Sequence, residues 1–210
     1  IKTFAYSPLS LVLIGKILIL AALCALVSIL FCSSLHKTNS LYQKHVANPY
    51  IRIIIGSALV ILSTKLIGNN DYNGIGWAVV VNALNGNAVS YAFLLKILLT
   101  ALTLGAGFKG GEIIPSLFVG ATFGCWAGGL LGIDPGFAAA IGLIAVFCGV
   151  VNCPIASIIL SVELFGSGNL LYFALACAVA YMLSGRYSLY SAQKIVYSKL
   201  EATYIDAKTQ

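Results

Sequence analysis

From Leu9 to Phe31 the chain carries a single charged side chain, Lys16, in a run otherwise made of apolar and small residues. A helix crossing a bilayer core needs ~20 such residues, because no water is there to satisfy backbone N–H and C=O groups. The run therefore predicts a membrane-spanning helix. A polar stretch from Cys32 to Asn48 would extend that helix into water before Pro49 stops it. Tyr50–Ile67 reads as a second span, with Lys65 at its end, where a long cation can reach the interface. Val89–Leu104 reads as a further span and carries Lys96.

Not every apolar segment is that long. Trp77–Leu84 is too short to cross and predicts a partial helix whose ends must be covered by protein. Ile113–Leu131, Phe137–Val151, Ile155–Phe165 and Leu170–Leu183 predict four more helices, separated by Asp134-Pro135-Gly136, Asn152-Cys153-Pro154 and Gly166–Asn169. After a break at Ser184–Ser188, Leu189–Glu201 reads as an amphipathic helix at the water interface. The expected class is an all-α membrane protein, a multi-helix bundle of tilted and partly broken helices. Such folds bring helix ends together near mid-membrane.

Charge supports this class. Charged residues make up 9% of the chain, against ~25% in soluble domains, and 60% of residues are hydrophobic. The net charge of +6 comes without a long basic run or an aromatic–basic pattern, so no nucleic acid partner is expected. The cations read as loop and tail charges that set topology, with Arg186, Lys194, Lys199 and Lys208 placing the tail in the cytoplasm. Cys24, Cys32, Cys125, Cys148, Cys153 and Cys177 form no CxxC; they read as free thiols, all but Cys32 deep in apolar runs. His36 and His45 lie in a polar stretch without a carboxylate cluster, so neither a metal nor any other cofactor is expected. The chain begins at Ile1, not Met, and reads as a piece of something longer.

The most informative stretch is Leu104–Cys125, LGAGFKGGEIIPSLFVGATFGC. Gly105, Gly107, Gly110 and Gly111 lead into one carboxylate, Glu112, and then Ile113, Ile114 and Pro115. Pro is tolerated in a helix's first turn, where its missing N–H would have no partner. A helix start at Glu112–Pro115 would leave backbone N–H groups and the positive dipole end aimed at the glycines, which is an anion site in form. Gly120, Gly124 and Gly128 follow four apart and predict close approach of a neighbouring helix. Gly105–Gly110 also spells G-x-G-x-x-G, but an apolar helix precedes it instead of a strand, so it is no dinucleotide fingerprint. Glu112 is either an ion-path group, costly at membrane depth, or a helix-end carboxylate paired with Lys96 or Lys109. Glu163, on a helix with Ser157 and Ser161, reads as structural, and Tyr190 by itself as an interface-belt residue.

The order of these motifs resembles the carboxy-terminal half of the CLC family of chloride channels and anion–proton antiporters. Gly111-Glu112-Ile113-Ile114-Pro115 stands where that family has G-x-F-x-P at the start of an anion-binding helix; Gly142–Gly166 resembles its next paired helices and Ser184–Ala202 its last helix. The resemblance covers Pro8–Ala202 and implies one of two inverted repeats over residues 1–203, with a short polar tail at 204–210. It implies a chloride or other halide ion held by the amides of Ile113 and Ile114 and by the Tyr190 hydroxyl, with Glu112 tuning charge or proton occupancy. A homodimer in a bacterial inner or plasma membrane, surrounded by lipid, is the matching expectation. Ile113 replaces the family's Phe while keeping the N–H. Gly-Gly-Glu resembles the fluoride-exporting branch, although that branch tends to have Thr where Ile114 stands. The resemblance places a serine anion ligand, a gating glutamate and regulatory domains outside these residues. Channel and antiporter, chloride and fluoride, stay open. A membrane-embedded enzyme using Glu112 or Glu163 as base lacks an accompanying carboxylate, His or metal set, and a non-conducting structural subunit is the remaining alternative.

Overall fold

The computed structural model describes residues 4, 10–190, 192–199, 201 and 203–209. Helix α1 (Leu11–His45) has 35 residues, about 52 Å at the α-helical rise. That exceeds the ~30 Å hydrocarbon core, so the helix carries the polar residues after Cys32 in the same rod. Helix α2 (Pro49–Ile67) starts as Pro49 predicts, with the Asn48 side chain accepting from the Tyr50 N–H at 3.0 Å. It ends at Gly68, whose φ of 79° returns the Gly68 N–H to the Thr64 carbonyl.

Helix α3 (Trp77–Leu84) is the short helix the sequence predicts, with Val80, Ala83 and Leu84 buried. Helix α4 (Ala92–Gly105) corrects an expectation: with 14 residues it runs about 21 Å, short of a full span. Helices α5 (Ile113–Leu130) and α6 (Pro135–Val151) are the centre of the fold. Asp134 caps α6, its carboxylate accepting from the Phe137 N–H at 2.8 Å. Every residue from Gly136 to Val146 is buried, the mark of a helix surrounded by protein. Helices α7 (Pro154–Phe165) and α8 (Leu170–Leu183) complete the bundle.

The α5–α6 contact is close because glycines line it. A methyl group at Gly120 would stand 2.5 Å from the Gly142 carbonyl oxygen and 2.8 Å from Leu143 Cα. At Gly124 it would meet the Ala138 carbonyl and Gly142, and at Gly128 the Ala138 side chain. Lys16 of α1 closes the far end of α5, donating to the Gly132 carbonyl at 2.9 Å.

The expected amphipathic helix Leu189–Glu201 is not formed among the described residues. In its place β1 (Lys194–Tyr197) pairs antiparallel with β2 (Tyr204–Lys208), with Lys194 opposite Lys208 and Tyr197 opposite Tyr204. Ile195, Val196 and Tyr197 favour a pleated surface over a helix, and Tyr204-Ile205 supplies a matching partner. The Tyr197 and Tyr204 rings meet edge to face at 5.7 Å, and Lys194 faces Asp206 at 3.5 Å. Residues 204–208 are thereby joined to the segment before them. The cysteine reading also needs one change: Cys32 is fully buried, and Cys153 is the partly exposed thiol.

Candidate functional site

Helix α5 begins where the glycine turn ends. Gly105 lies against α1, where a Cβ would stand 2.8 Å from the Thr38 methyl and 3.2 Å from the Asn39 nitrogen. Gly107, at φ 102°, turns the backbone in a region that L side chains rarely adopt. Glu112 occupies the N-cap position without a side-chain cap. The Ser116 N–H takes the Glu112 carbonyl at 3.2 Å, and the Ser116 hydroxyl donates to the Ile113 carbonyl at 2.6 Å. The Ile113 and Ile114 amides have no acceptor within the helix, as first-turn N–H groups do not, and both residues are 41% exposed. Two bare donors therefore stand at the positive end of an 18-residue helix.

One side of this helix start borders a cleft of about 430 Å³. Gly110, Gly111, Ile114 and Pro115 line it opposite Lys96, Thr100 and Thr103 of α4 and the Tyr72–Ile75 loop. Lys96 is only 2% exposed. Its ammonium donates to the Tyr72 carbonyl at 3.1 Å and the Gly74 carbonyl at 2.5 Å, and lies 4.9 Å from the Phe118 ring centre. Lys96 thus fastens the loop to α4. The pairing of Glu112 with Lys96 or Lys109 weighed from sequence is not formed; Lys194–Asp206 is the one ion pair among the described residues.

Glu112 instead has α1 beside it. It is half-buried and lies within electrostatic reach of His36. His36 reaches across the fold to bond the Ser188 carbonyl, Nε2 to oxygen 2.8 Å. His36 thereby ties the Ser188–Tyr190 segment to α1. Tyr190 does not open a helix, contrary to the sequence reading: it lies in a non-helical segment, 43% exposed, and its phenol makes no hydrogen bond within the described chain. The segment is tied to the end of α6, with the Leu189 N–H donating to the Val150 carbonyl at 3.0 Å and Asn152 Nδ2 to the Tyr187 carbonyl at 3.0 Å.

Glu163 is exposed, and the Ser157 and Ser161 hydroxyls bond carbonyls of their own helix. No hydrogen bond joins Glu163 to those serines among the described residues. Sequence reasoning missed His36 and Lys199. Lys199 donates to the Tyr181 carbonyl and the Ser184 hydroxyl, each at 2.9 Å, and to Asn152 Oδ1. It sits 4.2 Å from the Tyr181 ring centre, a cation at the carbonyl end of α8. Asn152 did carry a signal: an Asn ending a helix before Cys-Pro suits its φ of 58°. Nothing near His36 in the sequence points to a partner 152 residues away.

Apolar helices of unequal length, three long enough to cross a membrane and several too short, define an all-α membrane protein. The family description "voltage gated chloride channel" matches residues 2–185, so the chain belongs to the voltage-gated chloride channel, or CLC, family. It is 33% identical over 180 residues to a chloride/fluoride channel protein of Pseudomonas syringae, covering 83% of this chain and 40% of that protein. It is 28% identical over 180 residues to the H(+)/Cl(-) exchange transporter ClcA of Vibrio cholerae, covering 79% and 38%. A solved CLC-type fluoride/proton antiporter superposes with a TM-score of 0.86 at 30% identity, over 90% of this chain and 48% of that one. The chain spans about two fifths of the length of these curated relatives.

Proposed function

We propose that this chain supplies one repeat, residues 1–203, of a CLC anion pathway, carrying chloride or another halide across a membrane by transport and not by catalysis. The observation that carries the reading is the pair of unpartnered amides of Ile113 and Ile114 at the start of α5, in a chain of this family. Backbone dipoles attract a partly dehydrated anion without a full positive charge that would trap it. Glu112, at the same helix start, tunes the local charge or carries a proton, and the Tyr190 hydroxyl, which has no partner among the described residues, contributes a further donor. A bacterial inner or plasma membrane fits the bacterial relatives. The exposed apolar side chains Ile155, Ile159 and Leu171 on α7 and α8 suit a homodimer contact or lipid.

A second reading, a fluoride/proton antiporter, is favoured by Glu112 following Gly110-Gly111 and by the similarity to a fluoride/proton antiporter. The test uses the complete gene product in phosphatidylethanolamine/phosphatidylglycerol liposomes. Chloride and fluoride efflux are followed with ion-selective electrodes, and proton movement with a pH electrode. Tyr190→Phe together with Glu112→Gln should lower anion flux and alter selectivity. Unchanged flux and selectivity would remove these residues from the pathway, and proton-coupled fluoride efflux exceeding chloride efflux would select the second reading.

A further inference from the structure

The ties on the Tyr190 segment are unequal in kind. Leu189 N–H, the Ser188 hydroxyl and the Tyr187 carbonyl all bond to the end of α6, at Val150 and Asn152. Toward α1 the segment has the His36–Ser188 bond, 2.8 Å long and joining residues 152 apart. A carbonyl oxygen can only accept, so His36 Nε2 carries the hydrogen. The Ser188 hydroxyl also receives the Tyr190 N–H at 3.2 Å, so a displacement of Ser188 is passed directly to the Tyr190 backbone. The Tyr190 carbonyl is held separately, by the Thr209 hydroxyl at 2.7 Å. Among the described residues the Tyr190 side chain has no hydrogen bond of its own, so these backbone ties set where its phenol stands.

We propose that His36 is a positioning residue for the anion pathway: by donating from Nε2 to the Ser188 carbonyl it clamps the Tyr190 segment to α1. This inference rests on the proposed anion role of Tyr190.

The test again uses the complete gene product in liposomes and compares His36→Gln, His36→Asn, Tyr190→Phe and the double variant His36→Asn/Tyr190→Phe. Gln places an amide N–H near the position of His Nε2, whereas Asn is too short to reach Ser188. His36→Asn should reduce chloride flux about three- to tenfold, the effect of losing one hydrogen bond, and should shift the fluoride-to-chloride ratio in the same direction as Tyr190→Phe. His36→Gln should restore both, and the double variant should fall no further than Tyr190→Phe alone. If Tyr190→Phe matters while a well-folded His36→Asn leaves the ratio unchanged, the clamp is refuted and the anion site stands. If Tyr190→Phe has no effect, the anion role of Tyr190 itself is refuted. Should His36→Asn fail to elute as a single species, the His36→Gln ratio decides alone: wild-type selectivity supports the clamp, and a shifted ratio overturns it.

Discussion

Adding one methyl group at Gly15 and at Gly120 should move stability in opposite directions. Both glycines lie inside helices, where Gly→Ala gains ~1 kcal/mol of helix propensity. At Gly15 of α1 no atom lies within 4 Å of the new Cβ, so the gain is kept whole. At Gly120 the Cβ would stand 2.5 Å from the Gly142 oxygen, 0.9 Å inside the 3.4 Å at which ordinary contact begins, and 2.8 Å from Leu143 Cα. Both neighbours are backbone of α6, buried on all sides, so no side chain can rotate away. The helices must part, and Gly124 and Gly128 then lose their contacts with Ala138 as well. Overpacking of this kind costs ~1–3 kcal/mol before the propensity gain is subtracted. Gly120→Ala should therefore be destabilised, by up to about 2 kcal/mol, and Gly15→Ala stabilised by up to about 1 kcal/mol. Denaturant unfolding of the complete gene product in one detergent, followed by tryptophan fluorescence, measures both. A Gly120→Ala protein as stable as the parent, or two changes of the same sign, would refute the packing argument.

Lys96→Met should leave the Tyr72 and Gly74 carbonyls without their donor, at ~1–3 kcal/mol for the buried Tyr72 group and less for the exposed Gly74. Limited proteolysis should then cut the 68–76 loop sooner than in the parent, while equal cutting rates would show that the ammonium does not hold it. Lys199 gives a pH dependence. Burial draws its ammonium down to about 8 from 10.5, so between those values the unfolded chain binds more protons than the folded one. The burial penalty on the charged form is fully present below about 8 and relieved across that window, so stability should rise with pH there. Lys199→Met should flatten the rise in a thermal unfolding series, and an unchanged slope would assign it to another group.

Much of the helical order is legible in the chain itself. Pro49, Pro135 and Pro154 open helices, Gly68 closes one, and the apolar runs between them set the lengths to within a residue or two. The bare amides of Ile113 and Ile114 follow from Pro115 and the glycines before it. The stripe Gly120, Gly124, Gly128 announces a close neighbour without saying which helix it is; the structure makes it α6. Leu189–Glu201 misleads because its charges fall at helical spacing while Ile195-Val196-Tyr197 prefers a strand. That preference is realised only through pairing with Tyr204–Lys208, beyond the window in which a helical period is read.

By itself, the order of residues determined that this protein lives in a bilayer, where its helices break, and which helix start is left with open donors. These are local matters of hydration, φ angles and missing N–H groups, decided within a few residues. The tertiary structure alone decided which ends meet: His36 with Ser188, Lys96 with the Tyr72–Gly74 loop, Lys199 with the end of α8. Polar groups withdrawn from water must find partners wherever the packed helices bring them, and that choice depends on the path of the whole chain.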